Sequence, residues 1–185
     1  MAPHGATEGR FGTNPICVGF PSADEPVIWD IGTSAIMHAE VKLAQQLGEQ
    51  LPEDVAFDNQ GHPTRDPAAA LAGAFAAWGG HKGSGLGIVV QLLGALAGSS
   101  AIPGELSGFG MVVIVIRPDL LTSHDEFVRS VLTFAESVRR ARPVEGGPPV
   151  RMPFDRSRAE RKQRLAEDAI AVADAVYARL AEIAG

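Results

Sequence analysis

The chain has 185 residues, 45 % of them apolar and 21 % charged, enough to bury a core and too apolar for a disordered segment. A formal net charge of −6 argues against a nucleic-acid surface, which needs a basic patch. One cysteine, Cys17, excludes an internal disulfide and fits a reducing, cytoplasmic compartment, and it reads as a small buried hydrophobe in a strand.

In chain order, residues 1–12 read as an unstructured lead-in with no apolar core of the signal-peptide type. The β-type runs Ile16 to Phe20 and Val27 to Ile31 flank the turn Pro21-Ser22-Ala23-Asp24 and can pair as a hairpin. Thr33 or Ser34 can cap a helix over Ala35 to Leu47, which Gly48 stops. The connector "LPEDVAFDNQGHPTRDP" is rich in turn formers. Its Asp58, Asn59 and Gly61 lack the spacing and closing glutamate of a calcium loop, so it reads as a turn. Asp66 caps, and Pro67 begins, a helix through "AAALAGAFAAW".

A further helix from about Ser84 to Ala97 is apolar nearly all round, which predicts that it is buried. Its run "GLGIVVQLLGALAG" is shorter than the ~20 apolar residues a bilayer span needs, so no membrane role is expected. "GMVVIVIRP", Gly110 to Pro118, is the strongest strand signal and predicts a central strand covered on both faces. Ser123 or Asp125 caps the amphipathic helix "SHDEFVRSVLTFAESVRRAR", and the tail from Arg156 to Ile183 reads as one long helix. Three strands among five helices make a thin sheet.

The stretch "GGHKGSGLG", residues 79–87, places five glycines around His81 and Lys82. Such density costs backbone entropy, so a bare chain must be needed there. The order lysine-glycine-serine is wrong for a P-loop, and no strand precedes it as a Rossmann fingerprint requires. Two readings stay open. Either the helix start and Lys82 form an anion site, or the stretch is a turn with its polar side chains in water.

Five separated blocks, "GRFGTNPICVGFP", "VIWDIGTSAIMHAEV", "LPEDVAFDNQGHPTRDP", "GGHKGSGLGIVVQLLGALAG" and "VIVIRPDLL", change that balance. In this order they resemble the malate/L-lactate dehydrogenase family that is unrelated to Rossmann dehydrogenases. The resemblance implies an α/β (α+β) fold, a mixed, partly antiparallel sheet flanked by helices, lacking the family's N-terminal part. It implies a cofactor domain over 13–150 and a C-terminal loop and helix over 151–185.

The implied activity is hydride transfer between NAD or NADP and a small 2-oxo or 2-hydroxy acid, or a cyclic imine, in a homodimer. Position by position, the implied cofactor contacts are Thr13 and Asn14, then Asp30, Ile31, Gly32, Thr33 and Ser34, then His81 and Lys82. Arg156 or Arg158 could meet a 2′-phosphate, although Phe154 stands where the family has glycine. Glu40 falls where one branch has an aspartate that orients a catalytic histidine. The family's proton-donating histidine belongs to an N-terminal segment that finds no match here. A non-catalytic remnant or interaction subunit of the same fold is therefore the alternative expectation.

Overall fold

The computed structural model describes residues 1–102 and 108–184. The protein is a mixed α/β structure of short strands and helices. The chain forms two compact units. The first comprises Met1–Ile16, Ile31–Val113 and Val172–Gly185, and the second Cys17–Asp30 and Ile114–Ala171.

In the first unit, α1 (His38–Leu47) and α2 (Pro67–Ala72) cover a small sheet of β3 (Ala56–Phe57) and β4 (Ala74–Phe75), paired antiparallel. Ile36, Val41, Leu51, Ala56, Ala70 and Phe75 form the core between them. Residues read above as a helix running on through Trp78 leave it after Ala72, because Gly73 presses onto the Phe57–Asp58 backbone. A Cβ at position 73 would overlap the Phe57 carbonyl oxygen, so only glycine lets the chain turn from helix into β4 there. The start of α2 follows its sequence: Asp66 accepts the Ala68 N–H at 3.1 Å, and Pro67 occupies the first turn.

The sheet continues past its formal strands. Ala76 donates to the Val55 carbonyl at 2.8 Å and accepts from the Ala35 N–H at 2.8 Å. Thr33 and Ser34 therefore form an extended crossing, with Ser34 bridged to Ala77, and do not cap α1. Met37 takes the cap position of α1 instead. The lead-in is irregular but anchored: Ala2 is buried and donates to the Phe75 carbonyl at 2.9 Å. In the 58–62 turn, Asp58 Oδ1 accepts the Gln60 and His62 N–H groups at 2.8 and 2.9 Å, holding its carboxyl below the usual aspartate range. No metal-binding cluster exists among the described residues.

Helix α3 (His81–Leu96) begins three residues earlier than the apolar pattern suggests. The expectation of a fully buried helix fails: Gly83, Ser84 and Gly87 are buried, whereas Ile88, Val89, Leu92 and Leu96 are exposed. The expected central strand at 110–118 is also not formed. Among the described residues, this run has no ladder partner, and its apolar side chains face solvent. High β-propensity supplies no partner strand by itself. No helix among the described residues is long and apolar enough to cross a membrane.

The second unit holds the sheet of β1 (Ile16–Phe20) and β2 (Val27–Ile31), apart from their end residues Ile16 and Ile31, with helices α4 (His124–Arg139) and α5 (Asp155–Glu167). Cys17 is exposed on β1, not buried, because a two-stranded sheet leaves one face uncovered. Ser123 caps α4 by accepting the Glu126 N–H at 3.2 Å, and Phe127, Val131, Ala135 and Val138 form its inward face. The expected long terminal helix is broken. Asp168 adopts a left-handed conformation (φ 49°) that ends α5, and α6 (Asp174–Ala184) belongs to the first unit.

Asp155 ties the second unit together. Its carboxylate accepts two bonds from Arg139 at 2.8 Å and the Met152 N–H at 2.9 Å. Arg139 above all holds that carboxyl below the ordinary aspartate range, so its stabilisation is present above the unfolded value and fades as pH falls through the lowered one. We expect Asp155→Asn to cost about 1–3 kcal/mol at neutral pH. The gap between the two proteins' melting curves should shrink from neutral pH to a pH below the lowered value of that carboxyl, as the wild-type carboxylate loses its charge. An equal gap at both pH values would exclude this ion pair as the cause.

Candidate functional site

Thr33 lies at the centre of the first unit. It is fully buried, with 0 % of its surface exposed. Its N–H donates to the Thr13 carbonyl at 2.9 Å, and its hydroxyl approaches the carbonyl oxygens of Thr13 at 3.0 Å and Asn14 at 3.2 Å. Its own carbonyl accepts the Trp78 N–H at 3.0 Å. One residue thus clasps the 13–14 segment on one side and the start of the glycine cluster on the other.

The cluster's glycines serve two separate needs. Gly79 and Gly80 have φ values of 59° and 63°, a left-handed turn that other residues enter at a cost. Gly83 and Gly87 lie one helical turn apart on the face of α3 that meets Thr33. A Cβ at Gly83 would collide with the Trp78 carbonyl oxygen and come within 2.8 Å of the Thr33 carbonyl oxygen. At Gly87 it would lie 3.0 Å from the Thr33 hydroxyl and 2.9 Å from the Phe11 ring. The bare helix face is a packing device.

The remaining side chains are sorted by this packing. Asn14, itself left-handed at φ 36°, donates its amide to the Gly87 carbonyl at 2.8 Å and to Gln91 Oε1 at 3.0 Å. Gly32 abuts Met37, where a Cβ would overlap the sulfur, and Ser34 donates to the Ile36 carbonyl at 2.7 Å. Ile31 is half-buried at the end of β2.

His81 and Lys82 stand exposed on the first turn of α3, whose cap, Gly80, offers no side-chain acceptor. The His81 ring lies edge-on to His4 with centroids 6.0 Å apart, and the His4 N–H donates to the buried Ser84 hydroxyl at 3.0 Å. Thr13, Asn14, Ile31, Gly32, Thr33, Ser34, His81 and Lys82 all belong to the first unit.

The other named residues have different surroundings. Glu40 spends its carboxylate on its own helix, accepting the Met37 N–H at 2.7 Å. His38 packs its ring 6.2 Å from that of Phe75. Asp30 is exposed on β2, and Arg156 faces Glu160 at 3.6 Å on α5, both in the second unit. Arg158 is more deeply engaged, donating to the Pro26 carbonyl at 2.7 Å and meeting Glu25 at 3.3 Å. Phe154, the residue in the family's glycine position, adopts the left-handed backbone (φ 73°) that glycine would favour. The contacts of Ser84 and Gln91 escaped the reading of the sequence, since each is made with a partner more than seventy residues away.

A family model described as malate/L-lactate dehydrogenase matches residues 1–181. The chain belongs to the malate/L-lactate dehydrogenase family. A family relative from Pseudomonas syringae pv. tomato, a Delta(1)-pyrroline-2-carboxylate/Delta(1)-piperideine-2-carboxylate reductase, is 40 % identical over 100 % of this chain and 55 % of its own. The crystal structure of delta1-piperideine-2-carboxylate reductase from that organism superposes with a TM-score of 0.76 at 35 % identity, covering 98 % of this chain and 56 % of that one. The sulfolactate dehydrogenase from Methanocaldococcus jannaschii superposes with a TM-score of 0.78 at 28 % identity, covering 99 % and 55 %. The chain spans about half the length of these dehydrogenase-family relatives and matches their C-terminal part.

Proposed function

We propose that this chain forms the cofactor-binding part of an NAD(P)-dependent oxidoreductase acting on a small 2-oxo or 2-hydroxy acid, or a cyclic imine acid. The observation that carries the reading is the clasp at Thr33. It joins the "GTNP", "IGTS" and "GGHKG" segments, which are far apart in sequence.

The nicotinamide supplies or accepts the hydride when bound. The protein's part is to bind and orient. Lys82, exposed and unhindered by any side chain at Gly83 or Gly85, offers a point charge to ribose or phosphate oxygens. The positive end of the α3 dipole adds to that charge, while the Lys82, Gly83 and Ser84 N–H groups are engaged by the carbonyls of Gly79, Trp78 and Gly80. Packing of Thr33 and Gly83 fixes where that turn sits, so binding needs little reorganisation. Thr13, Asn14, Ile31 and Gly32 would border the nicotinamide ribose, with the buried Thr33 holding them in place. A homodimer is part of this reading.

The names of the relatives favour an anionic substrate with its reducible carbon next to a carboxylate. A second reading, a binding subunit without turnover, draws on Glu40, whose carboxylate is engaged in its own helix cap.

Titrating the full chain with NADH or NADPH should raise the cofactor's fluorescence and raise the melting temperature. Saturation at about a hundred times Kd adds about 2.7 kcal/mol. Lys82→Ala, at an exposed site, should weaken that binding about tenfold and leave the cofactor-free melting temperature unchanged. No response to either cofactor at millimolar concentration would overturn the proposal. Turnover of pyrroline-2-carboxylate by the chain alone would dispose of the second reading.

A further inference from the structure

Asn14 and Gln91 form a relay of two carboxamides beside α3. Asn14 Nδ2 donates to the Gly87 carbonyl at 2.8 Å and to Gln91 Oε1 at 3.0 Å. Gln91 Nε2 in turn donates to the Ser100 carbonyl at 3.2 Å, just beyond the end of the helix. Both side chains are half-buried.

The direction of this relay is fixed at its two ends. A main-chain carbonyl can only accept, so Gly87 and Ser100 each demand an amide NH2 group. Turning the Gln91 amide over would set its oxygen against the Ser100 oxygen and its NH2 against that of Asn14. Turning Asn14 over would set oxygen against oxygen at both Gly87 and Gln91. Each amide therefore holds the other in one orientation.

The consequence falls on Asn14 Oδ1. Both donors of that side chain are spent, and among the described residues nothing donates to its oxygen. Gly12 leaves room beside it, since a Cβ there would lie 3.2 Å from Oδ1. The main chain is held as well, left-handed at φ 36° with the Asn14 carbonyl 3.2 Å from the Thr33 hydroxyl.

We propose that Gln91 is a positioning residue for the cofactor: by orienting Asn14 it presents Oδ1 as a fixed acceptor to a hydroxyl or amide N–H of the nicotinamide riboside. An acceptor repels the phosphate oxygens, so the anionic part of the cofactor goes to Lys82 and the neutral part to Asn14. The inference rests on the cofactor reading and adds to it a residue that acts only through Asn14.

The test uses the full chain. With asparagine isotopically labelled, Asn14 and Asn59 alone give side-chain amide signals. The Asn14 NH2 should exchange at least about tenfold more slowly than that of exposed Asn59. Gln91→Met keeps the side-chain length and removes both polar atoms. It should weaken calorimetric binding of NAD+ or NADP+ about tenfold, with the circular dichroism unchanged. Gln91→Glu should bind as weakly near about pH 8, where a carboxylate faces the Ser100 oxygen. Towards about pH 5 a protonated carboxyl donates to that oxygen, so Gln91→Glu should approach wild type while Gln91→Met does not recover. The acetylpyridine analogue of the cofactor lacks the carboxamide N–H. Weak binding of it to wild type assigns the donor to the carboxamide, and full binding assigns it to a ribose hydroxyl.

An Asn14 amide that exchanges as fast as that of Asn59 overturns the proposal, as does a Gln91→Glu loss that pH leaves untouched. If wild type binds neither cofactor, the cofactor reading falls and this inference with it. If wild type binds, Lys82→Ala weakens that binding, and both Gln91 substitutions bind like wild type, this inference alone falls.

Discussion

A Gly83→Ala variant is expected to lose several kcal/mol of stability, or to fail to fold its first unit. The added methyl meets main-chain oxygen atoms of Trp78 and Thr33, and neither can swing away as a side-chain tip could. Overpacking of an interior costs about 1–3 kcal/mol when side chains can yield, and more when backbone must move. Moving α3 outward to relieve the collision would also strain the Asn14 bonds to Gly87 and Gln91. Denaturant unfolding monitored by circular dichroism measures the loss. The neighbouring Gly85→Ala, with open space where its Cβ would be, supplies the contrast and should be neutral or stabilising within a helix. Equal stability of the two variants would mean that α3 does not lie against Trp78 and Thr33 as described.

Leu51→Ala is the second large effect. Leu51 is 1 % exposed and among the largest fully buried side chains. Its backbone is fixed by two bonds with Arg65: its N–H donates to the Arg65 carbonyl at 2.9 Å, and its carbonyl accepts from Arg65 Nε at 2.8 Å. A site pinned in this way cannot collapse to fill the space left by truncation. The cost should therefore approach the upper part of the ~2–5 kcal/mol range for buried leucine. Because the core has few members, that sum is a large share of a domain's ~5–15 kcal/mol. The expected result is a sharply lowered denaturation midpoint with an unchanged slope. A loss below about 1 kcal/mol would show that the cavity closes.

The sequence disclosed elements fixed by local chemistry. Asp66-Pro67 began a helix where expected, and Ser123 capped α4. The strands Ile16–Phe20 and Val27–Ile31 kept their bounds, and the ordered family blocks led to the right family. What stayed hidden depends on distant partners. Gly73 ends α2 because of Phe57, a contact that no propensity of "ALAGAFAAW" encodes. Thr33 looked like a helix cap because threonine before an apolar-periodic run usually is one, yet the Thr13 carbonyl claimed its hydroxyl. The run at 110–116 has every intrinsic mark of a strand and no ladder among the described residues, since pairing belongs to two segments and never to one. Of the candidate site, residue types were readable and their sorting was not. The same glycine cluster contains turn glycines, packing glycines and two exposed polar side chains, and only geometry separates them.

The chain passes from one unit to the other four times, after Ile16, Asp30, Val113 and Ala171. Neither unit can consequently be released by a single scission. Removing everything beyond Val113 would deprive the first unit of α6 and the second of both α4 and α5. Synthesis on the ribosome faces the same ordering. The first unit cannot finish until its closing residues, Val172 onward, emerge, which happens only once the second unit's final helix has been made.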